Sequence, residues 1–135
     1  MINSDKANVI PDRHYRPVLS ATSINGTEVC NSQGESLGQM KDLMINLHNG
    51  RIEYAVLSFG GVMGIGDKLF AVPWQALTID ERSERMVLDV PKERLKNAPG
   101  FDKNDWPNFA DRSLMEPLHT FYGTSPDLGV GRTAI

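Results

Sequence analysis

From about residue 18 onward the apolar positions come in short runs, and each run stops at a turn signal. The signals are Gln33-Gly34, Asn49-Gly50, the glycine-rich stretch "FGGVMGIGDKLF" at 59 to 70, and the polar segment Asp80 to Glu84. Short runs rich in β-branched and aromatic residues, divided in this way, are the pattern of an all-β chain. They place strands at Thr27 to Ser32, Leu37 to His48, Arg51 to Gly60, Lys68 to Ile79 and Arg85 to Val90. After Val90 the pattern changes. In "PKERLKNAPG", Pro91 is placed to begin one short helix and Pro99-Gly100 to end it.

The sharpest local expectation concerns "LMINLHNGRIEYAV". Asn-Gly tolerates the positive φ angles of a type I′ turn, so a two-residue loop at Asn49-Gly50 would fix the register of a hairpin. Leu47 would then face Ile52, Ile45 would face Tyr54 and Leu43 would face Val56, which puts three apolar pairs on one side. The other side would carry Met44, Ala55, Leu57 and Phe59. A small barrel has one interior, so this surplus apolar set needs a cover. Either the C-terminal aromatic segment or a second subunit would supply it, an isologous dimer being the commonest closed arrangement.

The ends of the chain read differently. Residues 1–17 hold Pro11 and Pro17 and no sustained period, and are expected to form a flexible arm. Residues 18–98 form the barrel domain. Residues 99–135 carry Phe101, Trp106, Phe109, Phe121 and Tyr122 among prolines and glycines, which predicts an irregular extension packed on the barrel or on a partner.

Composition narrows the classes. A chain of 135 residues suits one domain with tails. With 14 Lys and Arg against 17 Asp and Glu, and the basic residues scattered, no electrostatic footprint for direct nucleic-acid binding is visible. No run approaches the roughly 18 apolar residues of a membrane span. One cysteine, Cys30, excludes an internal disulfide and suits a cytoplasmic protein.

The glycine stretch is the most suggestive chemical motif, and it fails its test. Gly61 and Gly66 have the spacing of a phosphate-binding loop, but Asp67 stands where the lysine should, and Lys68 is displaced by one. "LFAVPWQAL" then reads as a strand, where such a loop needs a helix. The stretch is therefore a hairpin tip, with Asp67 and Lys68 as candidates for a partner contact. His14, His48 and His119 lack the spacing of a zinc motif and read as surface or partly packed side chains. "DKNDWPNFADRS" has Pro107 and Ser113 where a calcium loop needs Gly and Glu. Nothing implies a cofactor, a metal or a nucleophile, and Cys30 and the Phe70, Val72, Trp74 stripe read as packing.

The stretch "INGTEVCNSQGESLGQMKDLMINLHNGRIEYAVLSFGG", followed by "DKLFAVPWQALTID" and "RMVLDVPKERLKNAPGF", resembles the PRC-barrel family between about Leu19 and Leu95. Stand-alone bacterial members look similar even in "APGFDKNDWP" and "HTFYGTSP". The resemblance implies a small, strongly bent β-barrel with a short helix after the last strand, used as an assembly or adaptor module with no family-wide catalytic residue. A reaction-centre H subunit would bring a transmembrane helix, and a ribosome maturation factor a further N-terminal barrel; neither is present in the 18 residues before Leu19.

The expected function is a non-catalytic protein-interaction module. It would self-associate as a homodimer or small homo-oligomer, or bind a protein partner, through Met44, Ala55, Leu57, Phe59, Asp67, Lys68 and Trp106. The alternatives are a ribosome- or RNA-processing-linked binding protein and an enzyme of unrecognised type.

Overall fold

The computed structural model describes residues 18–59, 68–80 and 85–125. A single helical turn, α1 (Ala21–Ile24), precedes β1 (Glu28–Cys30), β2 (Ser36–Asn46), β3 (Arg51–Phe59) and β4 (Lys68–Pro73). A one-turn 3-10 helix (Trp74–Ala76) leads to β5 (Leu77–Asp80) and β6 (Arg85–Leu88). Then come α2 (Lys92–Lys96), β7 (Phe101–Asp102) and α3 (Arg112–Tyr122). The arm at residues 1–17, the glycine-rich tip with Asp67, and the last ten residues lie outside the described segments.

All seven strands share one sheet in the order β5-β6-β1-β2-β3-β4-β7, antiparallel except for the β1/β6 pair. That order forces the sheet to roll. β4 and β5 are five steps apart across the sheet, about 24 Å if it were flat. The 3-10 turn joining them advances only about 6 Å, at roughly 2 Å per residue. The sheet must therefore curl until the ends of β4 and β5 meet, and the result is an all-β, barrel-like domain. Gly38 on β2 permits the bend. Its φ is 133°, and a Cβ there would lie 2.0 Å from the Ser58 carbonyl oxygen of β3.

The inside of the roll is filled. Val29, Leu37, Met40, Ala55, Leu57, Phe70, Val72, Met86 and Leu88 pack there, with Leu95 of α2 closing one end. A second cluster sits on the outer face of β3 and β4, where Tyr54 and Ala71 meet Met115 and Leu118 of α3.

The β2–β3 hairpin differs from the sequence expectation. The turn has four residues, Leu47 to Gly50, because the asparagines build it with their side chains. Asn46 accepts from the Gly50 amide through its carbonyl (2.7 Å) and from the His48 amide through Oδ1 (2.8 Å), while Asn49 Oδ1 accepts from the Arg51 amide (2.9 Å). Ile45 then faces Ile52, Met44 faces Tyr54 and Leu43 faces Ala55. The shift reverses the faces of β3 relative to β2. Ala55 and Leu57 point into the roll, while Leu47 and Ile45 stand 91 % and 53 % exposed.

Two more expectations are corrected. The run from Lys68 to Ile79 is not one strand, since Pro73 ends the β4 ladder and the chain turns through Trp74 to Ala76. The extension is not irregular throughout, because it contains β7 and the 11-residue α3. Asp111 caps α3 by accepting from the Ser113 amide (3.0 Å), and Gly123 ends it in the left-handed conformation at φ 71°.

Asn31 shapes the β1–β2 connection. It is 3 % exposed, and its Oδ1 accepts from the Gln33 and Glu35 amides at 3.0 and 2.9 Å. Its Nδ2 donates to Glu35 Oε1 at 2.7 Å and to the Val90 carbonyl at 3.3 Å. Asn31→Ala strands these partners, so the expected loss is about 2–3 kcal/mol in a urea melt. A loss below about 0.5 kcal/mol would show that water replaces the side chain.

Candidate interaction surface

The structure separates the six described residues of the seven singled out in the sequence; Asp67 lies outside the described segments. Ala55 and Leu57 are 0 % and 1 % exposed and belong to the chain's own core, so they offer nothing to a partner. Phe59 is half-buried against that core, its ring 5.9 Å from Phe70 in an edge-on contact. Lys68 is exposed and holds its ammonium 5.5 Å from the Phe70 ring centroid.

By contrast, Met44 borders the second cluster directly, and Trp106 adjoins it through Phe101 and Phe109. Met44 lies outward, on the face where the sequence places it, against the second cluster, which Phe101 and Phe109 also border. Trp106 packs edge-on against both Phe101 (5.2 Å between ring centroids) and Phe109 (6.3 Å). Its indole N–H donates to the Lys103 carbonyl at 2.8 Å, which fixes the ring while 38 % of the residue stays exposed. Met44, Phe101, Trp106 and Phe109 thus form a partly covered patch of aromatic rings and one thioether. Rings restrained in this way lose little further freedom on binding.

Beside Tyr54, α3 contributes a buried polar residue. His119 is 4 % exposed; its Nε2 lies 2.9 Å from the Tyr54 hydroxyl and its Nδ1 2.7 Å from Thr124 Oγ1. Burial holds the His119 pKa below its ordinary 6.5, against the pull of the Glu53 carboxylate. Burial pushes Tyr54 up to about 12, with Glu53 adding to the rise and Arg112 opposing it. Burial likewise raises Tyr122, whose hydroxyl has no hydrogen-bond partner among the described residues. A shallow cleft of about 20 Å³, lined by Ile52, Glu53, Tyr54, Gln75 and His119, opens beside the imidazole. It has room for about one water molecule and none for an organic substrate.

Among the described residues no cluster of three His, Cys, Asp or Glu side chains is placed to hold a metal ion. Cys30 is buried, with an Arg85 guanidinium nitrogen 3.7 Å from its sulfur. No helix of the described residues is long and apolar enough to cross a membrane.

A single rolled sheet with a filled interior and a helix on its outer face defines a small barrel-like β domain. Residues 17–95 match the family model of the PRC-barrel domain. That is more than half of the sequence, and the chain belongs to the PRC-barrel domain family. Among solved structures, it is similar to a putative 16S ribosomal RNA processing protein RimM from Pseudomonas aeruginosa. The identity is 20 % and the TM-score 0.41, over 62 % of this chain and 50 % of that one. The chain therefore spans half the length of that relative, and a likeness of this degree carries no argument about activity. No curated protein matches the sequence.

Proposed function

We propose that this PRC-barrel chain is a non-catalytic protein-interaction module that self-associates or joins a larger assembly. The observation that carries the reading is the patch of Met44, Phe101, Trp106 and Phe109. It combines residue types enriched at interface centres with partial exposure and restrained geometry. The filled interior of the roll supports the same reading, since binding then has to use the outside of the sheet.

A photoreactive phenylalanine analogue at position 106 tests the patch in cells, with position 41 on the exposed side of β2 as the control. The expected result is one discrete adduct from position 106 and none from position 41. An adduct of twice the chain mass identifies self-association, and a different mass identifies a heterologous partner. No adduct at 106, or equal labelling at both positions, overturns the proposal.

A further inference from the structure

α3 depends on what it rests against. Eleven residues are too few for a stable isolated helix in water. Pro117, inside the helix, removes one of its backbone hydrogen bonds. Three of its side chains are buried: Met115, Leu118 and His119. Two are apolar, and the third can be charged. Through Nε2 the imidazole meets Tyr54 of β3; through Nδ1 it meets Thr124, just past the helix. The Thr124 amide also donates to the His119 carbonyl at 2.9 Å. One side chain thereby joins the helix, its C-terminal cap and the sheet.

Both partners of the imidazole are hydroxyls, which donate or accept as required, so either neutral tautomer makes both bonds. A charged imidazolium would find two acceptors but no paired anion. β3 presents Glu53, whose Oε2 accepts from Asn46 Nδ2 at 2.8 Å. The 3-10 turn presents the uncharged Gln75. The one ionisable side chain of β4 is Lys68, at the opposite end of the strand from Pro73, the residue that pairs with Tyr54. α3 itself carries Arg112 and the exposed Glu116 on earlier turns. Among the described residues none of these carboxylates forms an ion pair with His119.

We propose that His119 is a proton-operated latch: acidification charges the imidazole, and α3 lifts from β3 and β4 while the rolled sheet stays folded. Release uncovers Tyr54 and Ala71 on the sheet and Met115 and Leu118 on the helix. Above about pH 6.5, the ordinary histidine value, the imidazole is neutral in both states and the latch is at full strength. Below that, the released state binds the proton first, because the closed state holds the His119 pKa lower. The opening equilibrium then rises by up to about tenfold per pH unit, and levels off once the pH has passed the closed-state value.

Amide-exchange protection factors for α3 and β3, measured by NMR from pH 8 to pH 4, test this directly. The expected result is falling protection in α3 below pH 6.5 with β3 unchanged, and a flat α3 profile in His119→Gln. Constant α3 protection in the wild type, joint loss from helix and sheet, or an unaltered profile in His119→Gln overturns the latch. Should His119→Gln not fold, the ring resonances of wild-type His119 decide. A titration midpoint below 6.5 that coincides with the levelling of α3 protection supports the latch, and any other midpoint rejects it.

Discussion

Gly38→Ala is expected to cost more than about 3 kcal/mol in a denaturant melt, or to prevent folding altogether. Two penalties coincide at this position. A φ of 133° lies where side chains are strained. In addition, the new methyl would sit 2.0 Å from the Ser58 carbonyl oxygen and 3.0 Å from its carbon, both of them backbone atoms of the neighbouring strand. Neither can move without opening the β2–β3 ladder at Gln39 and Ser58. Gly34→Ala separates the two penalties. Gly34 has φ 87° but nothing within 4 Å of a Cβ, so only the backbone term applies, about 1–2 kcal/mol. Equal losses for the two variants would show that the close approach of β2 to β3 is not what bends the sheet.

The role of Gly38 marks where sequence reading stops. The strands themselves were legible because β-branched runs and turn residues alternate, and α2 because Pro91 and Pro99-Gly100 bracket it. The roll was not, because it depends on β6 crossing to pair in parallel with β1, a contact between Val29 and Met86, which are far apart in the sequence. The hairpin register was misread because the motif Asn-Gly carries information about φ only. The side chains of Asn46 and Asn49 offered the backbone other acceptors, and they widened the turn to four residues.

α3 was hidden by Pro117, which ordinarily argues against a helix. Its signals were nevertheless present: Asp111 as the N-cap, Gly123 as the C-cap, and Met115, Leu118, His119 and Tyr122 at the spacing of one helical face. With that stripe recognised, His119 would have been placed inward. The candidate patch draws on two residues that the sequence already singles out. Trp106 belongs to the aromatic run among prolines and glycines, and Met44 to the surplus apolar set, whereas Ala55 and Leu57 enter that set only through the expected register of β3.

Leu57 provides the decisive contrast between the two readings of the hairpin. Under the register expected from sequence it would lie on the outer face, beneath the C-terminal aromatic segment or a second subunit, and a charged replacement would leave the barrel folded. In the structure it is 1 % exposed, paired with Phe70 on β4 and Met40 on β2 inside the roll. Leu57→Ala should therefore cost about 2–5 kcal/mol, the transfer term plus that of the cavity left behind. Leu57→Asp should abolish the folded state, since an unpaired carboxylate in that interior has neither water nor a cation. The measurement is circular dichroism combined with sedimentation velocity on both variants. A folded, monomeric Leu57→Asp protein of undiminished melting temperature would return Leu57 to the surface, and with it the hairpin register expected from sequence. An unfolded one leaves Met44 and Trp106, on the outer face, as the residues at which the proposed binding can be tested without losing the barrel.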